Sequence, residues 1–208
     1  MRVKKTQTQT EYRINLRSKI LKAAWREFQA NGVKSIRMDD IARGLSISKR
    51  TLYEICGNKE DLLLECIKEH NQNFIYHIES LKGLDVMEVL IEYTRYQLKE
   101  LHHTSPLFFE DLGKYPNVIR SIDEFHLECR EKMMSFFERG IVDDYFRSDV
   151  NYDIVARVGN ASLRHAVDSQ MYNDYSLQEI FRNIIFVSIR GFCTEKGMEA
   201  FDKHTSNL

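Results

Sequence analysis

The sequence predicts an all-α fold of about nine helices, with a three-helix helix-turn-helix domain over residues 11–57 and a larger helical domain over 58–208. Three observations carry that prediction. Only 2 prolines and 9 glycines punctuate 208 residues, so long uninterrupted helices are expected. Apolar side chains recur at helical spacing in segment after segment, and no alternating strand pattern of useful length competes. With 43% hydrophobic and 29% charged residues, the chain is long enough to bury a core in one average domain or two small ones.

The first helix is INLRSKILKAAWREFQANG, where Ile20, Leu21, Ala24, Trp25 and Phe28 form a stripe flanked by Arg17, Lys19, Lys22 and Arg26. Gly32 stands where a helix closes on a left-handed residue. The second, RMDDIARGLS, has Asp39 and Asp40 in its first turn at the positive end of the dipole, with Ile41, Ala42 and Leu45 available for packing. Gly44 and the Ser46-Ile47-Ser48 step stop it. Ser48 then reads as an N-cap for Thr51, with Ile47 and Leu52 as a hydrophobic staple, so a third helix starts at Lys49. Leu52 and Ile55 face inward along it, leaving Lys49, Arg50, Tyr53 and Glu54 nearer the outside.

Two short helices on a tight connection, after a longer supporting helix, form a helix-turn-helix arrangement, whose second helix has the size of a DNA major groove. Asn58 caps a fourth, long helix that keeps helical spacing through Leu63, Ile67, Phe74, Ile78 and Leu81. Five more helices follow: GLDVMEVLIEYTRYQLKELHH, LFFEDLGKY between Pro106 and Pro116, NVIRSIDEFHLECREKMMSFFERGIVDDYF, NYDIVARVGNASLRHAVDSQM, and SLQEIFRNIIFVSIRGFCTEKG.

Several function classes recede on composition. Cys56, Cys66, Cys129 and Cys193 include no CxxC pair, which argues against a structural zinc site or a disulfide framework and for thiols in a reducing compartment. The start, MRVKKTQTQTEYR, is polar and basic without an apolar run behind it, and no stretch approaches the roughly 18 apolar residues of a spanning helix. A cytoplasmic protein with no membrane partner is expected. Net charge is −1, but residues 1 to 59 hold 14 Lys and Arg against 5 Asp and Glu, and the remainder 16 against 26. Such asymmetry fits a polyanion partner for the first part; a merely solvated basic surface fits the charge equally well.

The segment GVKSIRMDDIARGLSISKRTLYEICGNKEDLL resembles the DNA-binding segment of the TetR family, the tetracycline-repressor-like transcription regulators. The matching residues are Gly32, Ile41, Ala42, Ser48, Lys49, Thr51, Leu52, Tyr53, Lys59 and Leu62, with ILKAAWREFQANG as the supporting helix. The resemblance is close over roughly the first 65 positions, and beyond them covers only the number and order of helices. It implies a cytoplasmic homodimer whose third helices enter the major groove of a palindromic double-stranded operator, and a repressor more readily than an activator. Ser48, Lys49, Arg50, Thr51 and Tyr53 would face DNA, Arg50 reading bases, and Lys59 would grip a phosphate. Glu54 reads as solvent-facing or paired with a neighbouring cation.

Three positions depart from the family pattern. Ser46 replaces the usual turn glycine, so the turn is either reshaped or Ser46 sits in a less favourable conformation. Arg37 replaces a hydroxyl cap at the start of the second helix, and can reach a phosphate instead. Cys56 replaces an aromatic ring under the third helix, giving a smaller core contact and not a reactive thiol.

For the later helices the resemblance implies a pocket for a small apolar or aromatic effector, with Tyr96, Phe108, His126, Arg130 and Phe137 as candidate lining; ordinary core is the other reading of these rings. It also implies that the last two helices pair with a partner copy through Gly159, Ser162, Ala166, Ile184, Val187 and Gly191, setting two reading helices about 34 Å apart; packing within one chain is the alternative. No i, i+4 histidine pair supports a metal near His102, His103, His126 and Glu128, and no cofactor is expected. An all-helical enzyme lacks any GxSxG, HExxH or phosphate loop, and a helical adaptor acting through its acidic face is the remaining rival.

Overall fold

The computed structural model describes residues 2–205, with side chains from residue 11 onward. The side chains of MRVKKTQTQT and residues Ser206–Leu208 of the expected second domain therefore lie outside the described residues. The fold is all-α and without strands among the described residues: α1 Arg2–Asn31, α2 Met38–Gly44, α3 Lys49–Cys56, α4 Lys59–Ser80, α5 Val86–His102, α6 Pro106–Leu112, α7 Pro116–Val142, α8 Tyr152–Asp168, α9 Leu177–Phe181, α10 Val187–Phe192 and α11 Glu195–Thr205.

Two compact units emerge, Met1–Phe74 with Leu107–Glu124, and Ile75–Pro106 with Phe125–Leu208. This corrects the expected boundary at 57/58. Leu62, Leu63, Cys66 and Ile67 of α4, Phe108 and Leu112 of α6, and Val118 of α7 bury in one core with Leu16, Ile20, Ala24 and Phe28 of α1. A three-helix segment ending at Gly57 would leave those faces wet. Trp25 joins this core, stacked on His70 with centroids 4.6 Å apart and edge-on to Phe108 at 5.3 Å.

The second unit is held by aromatic rings. Phe146, Tyr152, Phe181, Phe186, Phe192 and Phe201 are buried, and Phe137 stacks on Tyr152 at 4.3 Å. Asp85 caps α5, its carboxylate accepting Glu88 N–H at 2.8 Å while Glu88 accepts Asp85 N–H at 2.9 Å, a reciprocal capping box. The last expected helix, SLQEIFRNIIFVSIRGFCTEKG, instead contains a π turn at Arg182–Phe186 and ends at Phe192. Cys193 is extended, at φ −73 and ψ 149, and α11 begins beyond it. That makes α11 a helix unforeseen in the sequence. Its start is fixed by Thr194, whose hydroxyl accepts Gly197 N–H at 3.1 Å.

Candidate nucleic-acid interface

Helix α3 is seated by its apolar side. Leu52 is fully buried and Cys56 nearly so, and burial pushes the Cys56 thiol up, so it packs and stays protonated. Ser48 caps the helix, accepting Thr51 N–H at 3.0 Å, with the two hydroxyls 2.8 Å apart. At the far end Gly57 takes φ +66, and a Cβ there would meet the Asp61 carboxylate at 2.5 Å. α4 restarts at once, with Asn58 Oδ1 accepting Glu60 N–H at 2.8 Å and Asp61 N–H at 3.1 Å.

The connection from α2 closes by a Schellman pattern. Ser46 N–H donates to Arg43 O at 3.1 Å and Ile47 N–H to Ala42 O at 3.0 Å. The pattern requires a left-handed residue in the C′ position, and Ser46 supplies it at φ 55. Of the two expected alternatives, the turn keeps its shape and Ser46 carries the less favourable conformation.

On the solvent side of α3 stand Lys49, Arg50, Tyr53 and Glu54, all exposed. The cations are already paired. Lys49 Nζ lies 2.8 Å from Asp39 Oδ1 of α2 and 5.9 Å from the Tyr53 ring centroid, and the Asp39 hydrogen bond and charge raise its pKa. Arg50 Nε donates to Glu54 Oε1 at 2.7 Å, which raises the Arg50 pKa in turn. Arg37 caps α2 through its backbone only, its N–H donating to Asp40 Oδ2 at 3.1 Å.

Lys59 is half-buried at the start of α4, its ammonium donating to Lys34 O at 3.3 Å, and burial lowers its pKa. Lys34 is itself tied down, its N–H donating to Asp111 Oδ2 at 2.7 Å while Lys114 Nζ reaches Asp111 Oδ1 at 2.7 Å. Asp111, only 5% exposed, thus clasps α6 to the turn after α1. Gly32 makes the approach possible: at φ +77 its missing Cβ would stand 3.0 Å from Leu107 Cβ and 3.1 Å from Asp111 Oδ2. The sequence reading missed Asp111, because a contact spanning 77 positions leaves no local signal. It also read Asp39 only as a helix-dipole residue.

The structure brings together Ser48, Lys49, Arg50, Thr51 and Tyr53 on α3, with Arg37 and Lys59 at the starts of α2 and α4 in the same unit. Of the five pocket candidates, Phe108 belongs to the first unit and Tyr96, His126, Arg130 and Phe137 to the second. Phe108 is a core ring of the first unit, 3% exposed. In the second unit Tyr96 stacks on His77 at 4.7 Å, while His126 and Arg130 are exposed on α7 and Arg130 pairs with Asp153 at 2.8 Å. Phe137 borders an open depression of about 470 Å³ that Met134, Ile141, Tyr152 and Asp153 also line.

The residues of the expected pairing face differ in exposure. Gly159 and Ala166 are buried within the chain, and a Cβ added at Gly159 would make ordinary contact with Ile185 at 3.6 Å. The outward face of α8 carries Ile154, Val158 and Ala161 instead. Ser162 and Ile184 are half-buried, and Val187 and Gly191 are exposed. Among the described residues there is no cluster of three or more His, Cys, Asp or Glu side chains able to hold a metal, and no helix long and apolar enough to cross a membrane.

Residues 20–66, from the later part of α1 through α2 and α3 into α4, match the model of the bacterial regulatory proteins of the tetR family. The chain thus carries a DNA-binding segment of TetR type and is a DNA-binding transcription regulator. The chain is 26% identical over 149 residues to the HTH-type transcriptional repressor KstR2 of Rhodococcus jostii, covering 68% of this chain and 72% of that relative. Its fold is similar to a TetR-family regulator from Agrobacterium tumefaciens, with TM-score 0.70, 17% identity, and coverage of 88% of this chain and 100% of that one. It is also similar to FadR of Bacillus subtilis solved with stearoyl-CoA, with TM-score 0.64, 18% identity, and coverage of 84% and 98%.

Proposed function

We propose that the protein is a homodimeric repressor that holds a palindromic operator through α3 of each copy and releases it when a small apolar or aromatic effector binds the second unit. One observation carries the DNA half: α3 is anchored by Leu52 and Cys56 and turns Lys49, Arg50 and Tyr53 to solvent in an otherwise basic segment. In this reading Ser48, Thr51 and Tyr53 donate to phosphates from a fixed helix start, Lys49, Lys59 and Arg37 meet phosphates, and Arg50 reaches base edges.

The dimer is supported by apolar side chains left outside. Ile154 is 56%, Val158 58% and Val187 62% exposed, on α8 and α10, a pattern that soluble chains cover with a partner. Isologous pairing of those helices would place two α3 helices on one face of DNA. Release by an effector follows from population shift: a ligand that prefers the non-binding arrangement drains the binding one. The similarity to FadR, which was solved with stearoyl-CoA, favours such a ligand, and a cytoplasmic location accords with operator binding.

Protection of the DNA upstream of the protein's own gene tests this reading. The full-length protein is expected to protect a two-fold symmetric site from cleavage, and stearoyl-CoA serves as the first effector probe. If no duplex from that region is protected, and Lys49→Ala with Arg50→Ala leaves DNA affinity unchanged, the reading fails.

A further inference from the structure

We infer that Glu54 sets the base preference of α3 by holding the Arg50 guanidinium in one orientation. The inference rests on the reading of Arg50 as the base-contacting residue. The two residues stand one helical turn apart, and Glu54 Oε1 accepts the Arg50 Nε–H at 2.7 Å. A guanidinium carries five N–H donors in a single plane, and Nε supplies only one of them. The terminal nitrogens keep the other four, and these form the fork that matches guanine O6 and N7. Anchoring through Nε therefore uses none of the donors that a base would need, while it fixes the plane and reach of the fork.

The neighbouring cation makes a useful contrast. Lys49 is also paired, to Asp39 at 2.8 Å, but an ammonium has no plane, so its pairing steadies a charge without aiming it. Lys49 suits phosphates and Arg50 suits an edge. A mobile arginine would spread its contacts over phosphates and several bases; a buttressed one meets a guanine without losing side-chain freedom at that moment. The arrangement also has a cost, because Glu54 brings a negative charge toward a polyanion and weakens binding to every sequence alike. Glu54 thus raises discrimination while lowering general affinity.

The test uses the full-length protein. A pool of randomised duplexes selected on the wild type yields the preferred site. Affinities for that site, and for versions with each base pair substituted, are then measured for wild type, Glu54→Ala, Glu54→Gln, Arg50→Ala and the Arg50→Ala Glu54→Ala double variant. The Glu54 side chain is 56% exposed, so both its variants keep the fold. Glu54→Ala is expected to bind unselected DNA more tightly and to lose about twofold of the preference at one base pair. Arg50→Ala loses the preference at that same pair, and the double variant loses no more. Glu54→Gln keeps an oxygen acceptor for Nε and falls between the two. If Glu54→Ala raises affinity for all duplexes by one common factor, while Arg50→Ala still abolishes a preference, the inference is overturned and the reading of Arg50 stands. If Arg50→Ala changes no preference at any position, the reading of Arg50 falls and the inference falls with it.

Discussion

Helix α3 and the α8–α10 pair leave opposite chemistry in water. On α3 the exposed side chains are charged apart from Tyr53, and each cation has an acid within hydrogen-bond reach, so the surface is stable alone and can exchange its partners for phosphates. On α8 and α10 the exposed side chains are Ile154, Val158 and Val187, which gain nothing from water and cover area only against another apolar face. The contrast separates two kinds of functional surface. In the proposed reading one binds a partner that comes and goes with salt, and the other is completed by a second copy of the chain.

The largest effect is expected where that contrast is removed. Val158→Asp combined with Val187→Asp charges the apolar face, and the chain should sediment as a monomer whose affinity for the selected duplex is at least about 100-fold lower, since half-sites then bind singly. A dimer mass that survives both substitutions would show that α8 and α10 are not the pairing face.

Asp111 tests whether the reading unit extends beyond the sequence-local helices. Asp111→Ala leaves the Lys34 N–H without its acceptor, and a loss of about 1–3 kcal/mol in chemical denaturation is expected. The pH dependence has a definite sign. Burial pushes the Asp111 carboxyl up, but the hydrogen bonds from Lys114 and the Lys34 N–H outweigh it and hold the group below its ordinary 3.8. Its contribution is therefore complete above that ordinary value and is lost as pH falls through the lowered one. Asp111→Asn should accordingly flatten the acid side of the stability curve, and an unchanged curve would remove Asp111 from the account.

Ser46 gives the smallest effect. Glycine adopts φ 55 without the Cβ penalty, so Ser46→Gly is expected to raise stability by about 1 kcal/mol with α3 unmoved. A destabilised variant would mean that the Ser46 side chain supports the turn.

How far the molecule could be foreseen follows the range of the interactions. The Ser48 cap, the Gly32 closure and the seat of Leu52 are all set within a few residues, and the sequence shows them. The inclusion of α6 in the first unit depends on Asp111 meeting Lys34, and the assignment of Phe108 on its packing with Trp25; neither separation leaves a periodic trace. On α8 the stripe of small residues was legible, but its direction was not. Gly159, which lies against Ile185, and Ala166 are buried, while the larger Ile154 and Val158 face out. α11 was hidden because the segment reads as one continuous helix, with Gly191 inside its pattern and no proline at the Cys193 break.

The central claim is that the cations on and beside α3 hold DNA. Affinity for the selected duplex, measured against salt for the wild type and for the Lys49→Ala Arg50→Ala Lys59→Ala variant, tests it most directly. The account predicts a steep fall of affinity with salt for the wild type, and a log–log slope that is shallower in the variant by about one for each phosphate left without its cation. A wild-type affinity indifferent to salt, or a variant with the same slope and the same affinity, would contradict it.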